Sequence, residues 1–249
     1  MITGSKELIR DINSRLVLET ILKEDPISRA AIASKLGLTK ATISAIVSDL
    51  IDQKLVKEIG SDDTSLGRKP ILLSFCRESG HIISIDLGVD SIYVLISDLK
   101  AANCSLKQYR NSYNGSTILQ GLTTIIEETL ATLPQTPFGA VAICIAIHGV
   151  VHQNEATFTP YYAYENIPFS TELGERFGIP VYLENEANLS ILGEKVFCYN
   201  MADMIGISVH SGIGIGIIIE DELYTGFNGN AGEFGHSIVV VNGRPCPCG

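Results

Sequence analysis

Residues 39–53 constrain this chain more than any other stretch. Ile43, Ile46, Val47, Leu50 and Ile51 recur at i, i+3, i+4, i+7 and i+8, the spacing of one buried helical face. Lys40, Thr42, Ser44 and Ser48 fall on the opposite face and are small or basic groups able to donate hydrogen bonds. Thr39 is placed to cap the helix, so Lys40 to Ser44 form a first turn with backbone N–H groups pointing outward. Such a helix can press its N-terminus into a groove of DNA, or it can be an ordinary amphipathic core helix. The flanking residues bear on that choice.

Leu8, Ile9, Ile12 and Leu16 begin an amphipathic helix that continues through Ile21 and Leu22 and is stopped by Pro26, which cannot continue the hydrogen-bond ladder. Ser28 then caps a short helix over Arg29–Leu36, with Ala30, Ala33 and Leu36 on its inner side. Gly37-Leu38-Thr39 is a tight connection. A short helix, a turn with Gly and a longer helix with a polar tip make a helix-turn-helix pattern. Two β-prone runs follow, residues 55–59 and 71–75, joined by the polar loop 60–70. That loop reads as a wing whose tip, Gly67-Arg68-Lys69-Pro70, offers two adjacent cations to phosphates or a narrow minor groove. Lys40, Thr42, Ser44, Arg68 and Lys69 are therefore the expected DNA-binding residues.

The charge pattern agrees with a division near residue 75. The chain has 249 residues and a net charge of −10, which excludes a protein coating nucleic acid along its whole surface. Residues 1–75 hold 11 Lys and Arg against 10 Asp and Glu, whereas residues 76–249 hold 7 against 18. All repulsion from phosphate therefore sits in the second part. The first residues reach charge before any apolar run, and no stretch approaches the ~18 apolar residues of a membrane span. Six scattered cysteines suit reduced thiols, so a cytoplasmic protein with no membrane partner is expected.

Beyond Phe75 the texture becomes α/β. Strands are expected over 82–87 and 92–97, with a weaker one over 105–113, then a helix over 117–133 and a fully apolar strand over 140–147. A strand at 181–183 leads into a helix from about Ala187 to Phe197, and strands at 205–209 and 215–219 begin a second set of three. A three-strand meander followed by alternating helix and strand implies helices covering a mixed sheet. The expected domains are 1–75 and 76–249.

Four stretches could carry chemistry. Asp86-Leu87-Gly88-Val89-Asp90 turns at a strand end, where a nucleotide phosphate could approach, although such a turn is also a common hairpin. Glu184-Asn185-Glu186-Ala187-Asn188 lies at a strand-to-helix junction; its carboxylates and amides suit vicinal hydroxyls, while helix capping by Asn185 is the structural alternative. Glycines at alternate positions of 210–216 allow close approach of a ligand, or fit a bulged hairpin. Finally, residues 226–236 and 243–249 hold His236, Cys246 and Cys248, part of a zinc-like set that normally needs four ligands.

Together these residues resemble the ROK family, which comprises sugar-responsive repressors and sugar kinases built on an actin-like ATPase (ribonuclease H-like) fold. The resemblance runs from about Asn13 to the last residue. It rests on the winged helix with Gly67-Arg68-Lys69-Pro70, on residues 184–188, and on Ala231-Gly232-Glu233-Phe234-Gly235-His236 with Cys246-Pro247-Cys248-Gly249. Family kinases lack the winged helix, so the repressor branch is the nearer match, especially the xylose-type repressors, which carry Glu where Glu186 stands. The resemblance implies that Asn185, Glu186, Glu233 and His236 line a sugar site and that His236, Cys246 and Cys248 are zinc ligands. The fourth zinc ligand of the family pattern falls just past Gly249, so the chain reads as one that stops within the ROK domain, with an incomplete second lobe.

Family kinases show Asp-x-Gly-Gly-Thr where this chain has residues 86–90, and Asp90 would repel ATP phosphates. Glu186 stands in place of the catalytic Asp, and a displacement of ~1 Å in a general base costs about a hundredfold in rate. Ile215 replaces an expected glycine in the second phosphate loop. The expectation is thus no enzyme, no catalytic residue and no ATP, but a repressor. It would bind operator DNA as a homodimer and take xylose or a related monosaccharide as effector. The alternative is a sugar kinase with an appended DNA-binding domain.

Overall fold

A computed structural model of the chain describes residues 6–61, 70–210 and 212–246. It divides into two compact units, Met1–Gly80 and His81–Gly249.

The first unit holds helices α1 (Lys6–Lys23), α2 (Arg29–Leu36) and α3 (Lys40–Asp52). Its antiparallel sheet has the order β1 (Ile27–Ser28), β3 (Ile71–Phe75), β2 (Val56–Ser61). Both expected caps form: Ser28 Oγ accepts from the Ala31 N–H at 3.2 Å, and Thr39 Oγ1 accepts from the Thr42 N–H at 3.1 Å. Gly37, at φ +64°, closes α2 in the left-handed conformation that lets the chain reverse toward α3. Ile43, Ile46, Val47 and Leu50 of α3 are buried with Val17, Ile21, Ile32, Leu73 and Phe75.

Two details differ from the sequence pattern. Ala30 is exposed, and the inner face of α2 is Ile32 and Ala33, with Leu36 half-buried. In α1 only Val17 and Ile21 are buried, while Ile9, Ile12 and Leu16 stay 41–52% exposed. A short three-helix unit has too little interior to take a full apolar stripe from an 18-residue helix. The unit closes after Phe75, where the Cys76 N–H bonds Leu55 O and Ser79 Oγ bonds Lys54 O. The wing tip with Arg68 and Lys69 lies outside the described residues.

The second unit is built on a five-stranded sheet. Its strands are β4 (His81–Leu87), β5 (Ser91–Asp98), β6 (Ser105–Arg110), β7 (Ala140–Ile147) and β10 (Val181–Asn185), in the order β10-β7-β4-β5-β6. β4, β5 and β6 form an antiparallel meander, and β7 and β10 run parallel to β4. Helix α4 (Ile118–Thr132) and helix α5 (Phe169–Phe177) supply Ile118, Leu122, Ile125, Ile126, Phe169 and Leu173 to a core with alternate residues of the sheet. Helix α5 and the hairpin β8 (Val150–His152)–β9 (Glu155–Phe158) have no counterpart in the sequence pattern. Nine residues of mixed polarity and two very short strands carry too little periodicity to be read.

Helix α6 (Glu186–Phe197) follows β10 directly and packs on a three-stranded antiparallel sheet of β11 (Met204–Val209), β12 (Ile213–Ile219) and β13 (Glu222–Leu223). The alternate glycines make that packing possible. A Cβ on Gly216 would lie 2.4 Å from Ile191 Cγ2 and 2.5 Å from Ala187 O, and one on Gly206 2.7 Å from Ile191 Cδ1. Glycine on this face of the sheet brings α6 close, and the β-branched residues take the other face.

Candidate functional site

The register of the parallel strands places Leu87, Ile147 and Asn185 side by side at the carboxyl ends of β4, β7 and β10. Ligands of open α/β sheets bind outside this edge. A cavity of about 120 Å³ opens here, suited to one small ligand, and is walled by Val89, His148, Tyr161, Asn185, Glu186, His210, Glu233, His236 and Cys246 among others. The structure thus brings together all four expected sugar-site residues, although they are separated by up to 51 positions in sequence.

Asn185 has two jobs. Its Oδ1 accepts from the Ala187 and Asn188 N–H groups at 2.9 and 3.1 Å, capping α6, and its Nδ2 donates to Gly149 O at 2.8 Å. The capping reading therefore holds alongside its position in the wall. Asn188 is 4% exposed and donates to Glu184 Oε1 at 3.0 Å, a packing role. Glu186 begins α6 and accepts from Ser208 Oγ at 3.2 Å through Oε1, which leaves acceptor capacity toward the cavity.

Residues 226–236 bring the other two groups across β12. Gly232 sits at φ +83°, and a Cβ there would lie 1.8 Å from Ile215 O, so only glycine lets the loop lie against the strand. Glu233 and His236 follow on a 3-10 turn, with Glu233 Oε2 3.3 Å from His236 Nε2. Burial pushes the Glu233 carboxyl above its ordinary range; His236 opposes that rise and the Glu186 charge adds to it. His236 also meets the Phe158 ring edge-on at 5.8 Å.

Among the described residues no three His, Cys, Asp or Glu side chains converge as a metal site. His236 and Cys246 share the cavity wall, whereas Cys248 lies outside the described residues. The two described groups do not by themselves make a zinc site.

His148 and Tyr161 also line the cavity and escaped the sequence reading, and His210, which heads the glycine-alternating stretch 210–216, joins them. His148 carried a usable signal, being the polar residue that ends the fully apolar strand β7. Its Nε2 lies 2.7 Å from Asp86 Oδ1, so the first carboxylate of the Asp86–Asp90 turn is already engaged by a side chain.

In the first unit Lys40 and Ser44 are exposed on α3 and Thr42 is half-buried, with its hydroxyl 2.8 Å from Thr39 Oγ1. Ser48 is exposed as expected, and Ala41 and Ala45, which the sequence reading had not included, are exposed beside them and complete a face of small residues. Arg29, Lys35 and Lys57 each pair with a carboxylate, at 2.8, 2.8 and 3.3 Å, whereas Lys40 has no ion-pair partner among the described residues.

The ROK family profile matches residues 82–249, and a winged helix-turn-helix DNA-binding profile matches residues 10–57. The chain belongs to the ROK family. The xylose repressor of Bacillus subtilis is 36% identical to this ROK protein over 99% of the chain and 65% of its own length. A crystal structure of a ROK family transcriptional regulator, a homologue of the E. coli MLC protein, aligns with a TM-score of 0.79 and 26% identity, covering 97% of this chain and 62% of that one. A ROK family glucokinase from Streptomyces griseus, in complex with glucose and AMPPNP, aligns with a TM-score of 0.61 and 28% identity over 68% of this chain and 54% of its own. The chain thus spans somewhat less than two thirds of the length of the repressors it resembles. Its architecture is a winged helix-turn-helix followed by a ROK domain of the actin-like class, as the resemblance implied.

Proposed function

We propose that this ROK protein is a sugar-responsive transcriptional repressor. One observation carries the reading: a winged helix-turn-helix whose α3 tip exposes Lys40 and Ser44 is joined in one chain to a ROK domain whose cavity gathers Asn185, Glu186, Glu233 and His236. Carboxylates, an amide and imidazoles around a small cavity supply acceptors and donors for the hydroxyls of a neutral monosaccharide. Lys40, Thr42 and Ser44 approach base edges, while Arg68 and Lys69 hold the backbone or minor groove. The sugar, xylose or a related pentose or hexose, lowers operator affinity through its differential affinity for two arrangements of the protein. The protein acts as a homodimer on two half-sites and performs no phosphoryl transfer. His236, Cys246 and Cys248 belong to a zinc set, which elemental analysis of the purified protein checks directly.

The test selects binding sequences from a random DNA pool and measures affinity for them by fluorescence anisotropy with and without xylose, glucose and N-acetylglucosamine. Sequence-specific binding weakened by one of these sugars is expected. Sugar-dependent release of ADP from ATP, or the lack of any selected sequence, would refute the proposal.

A further inference from the structure

β4 and β7 run parallel with Asp86 opposite Ala146 and Leu87 opposite Ile147, so the residue that follows β7 emerges beside Asp86. That residue is His148, with its Nε2 2.7 Å from Asp86 Oδ1. The Tyr162 hydroxyl donates to Leu87 O at 2.8 Å, holding the end of β4. An ionised carboxylate only accepts, so Nε2 carries the proton it donates to Asp86, and Nδ1 is the ring nitrogen left over. Among the described residues Nδ1 has no hydrogen-bond partner, and the imidazole lines the same cavity as Glu186, Glu233, His210 and His236. Burial acts to lower the basicity of the ring, but the hydrogen bond and charge of Asp86, joined by the charge of Glu186, reverse that and raise it.

We propose that His148 is a further effector-contacting residue: Asp86 positions its ring, and Nδ1 meets one hydroxyl of the sugar in the cavity. This rests on the sugar-binding reading above and adds a contact from the β4–β7 side of the site. Asp86 then orients an imidazole where a nucleotide-binding protein would leave the carboxylate free.

The test is calorimetric titration of the intact chain with whichever of xylose, glucose or N-acetylglucosamine it binds, and with deoxy analogues lacking one hydroxyl at a time. The proteins compared are wild type, H148Q, H148N and D86N, each checked for cooperative thermal unfolding. H148Q keeps an amide where Nε2 reaches Asp86 but has nothing at Nδ1. It is expected to bind the sugar about tenfold more weakly, the effect of one lost hydrogen bond. It should also be indifferent to loss of one particular hydroxyl that wild type penalises. H148N, which keeps a nitrogen near the Nδ1 position, should recover part of that discrimination, and D86N should blunt it. Identical deoxy-sugar penalties in wild type and H148Q would overturn the proposal, and if H148Q does not fold, identical penalties in D86N and wild type would do so. Absence of any sugar binding by wild type would instead refute the function on which it rests.

Discussion

The ring of His148 is held between burial, which favours its neutral form, and two carboxylates, which favour the cation and prevail. Its folded pKa therefore lies above the ordinary 6.5. Such a group contributes stability in full below its unfolded value and loses it as pH rises through the folded one. The urea midpoint of the second unit should accordingly fall as pH rises above the ordinary 6.5 in wild type, and D86N should flatten that decline. Equal pH dependence in the two proteins would show that the pair adds nothing to the fold. The residue types at this site were legible only in part. Asn185 and Glu186 stood out at a strand-to-helix junction, and His236 beside glycines, but Asp86 and His148 are 62 residues apart and meet only because β4 and β7 pair in parallel.

Among the elements, α3 was the most legible, because its apolar spacing, its Thr39 cap and its boundaries all follow from local chemistry. Its exposed tip gives a direct prediction. K40A should weaken operator binding several-fold and reduce the slope of log affinity against log salt by about one, as loss of one phosphate contact requires; anisotropy titrations across salt concentrations read both. A second prediction concerns the α6–β12 interface. A methyl on Gly216 would meet Ile191 and the Ala187 carbonyl at 2.4–2.5 Å, so G216A should destabilise the second unit by roughly 1–3 kcal/mol or more, visible in urea unfolding. The same stretch looked, in sequence, like a ligand loop or a bulged hairpin, and its Gly212 and Gly214 do line the cavity. Alternation shows that two faces of a strand differ, but not which neighbour lies against the bare one.

At the scale of the whole molecule, β11 and β12 present an apolar face away from α6. Ile205, Ile207 and Val209 pair across the ladder with Ile217, Ile215 and Ile213, and the three β11 residues are 66–70% exposed. Among the described residues no element covers them. Apolar surface of this kind binds dyes and promotes association. The chain should therefore enhance ANS fluorescence and sediment faster with rising concentration, and the double variant I205K/I207K should suppress both; unchanged behaviour would show that the face plays no part. The charge asymmetry acts at this scale too, since the acidic second part repels phosphate whereas the nearly neutral first part does not.

The sequence by itself determined the helix-turn-helix, its caps, most strands of the second unit and the family to which the chain belongs. These depend on periodicity, capping and short motifs, all of which act within a few residues. The tertiary structure alone decided which side chains share the cavity, that Asp86 is taken by His148, that Ile32 rather than Ala30 enters the first core, and that the glycines of β12 serve a helix. Each of those depends on strand pairing or on competition for a limited interior, and such long-range geometry leaves no local trace in the order of residues.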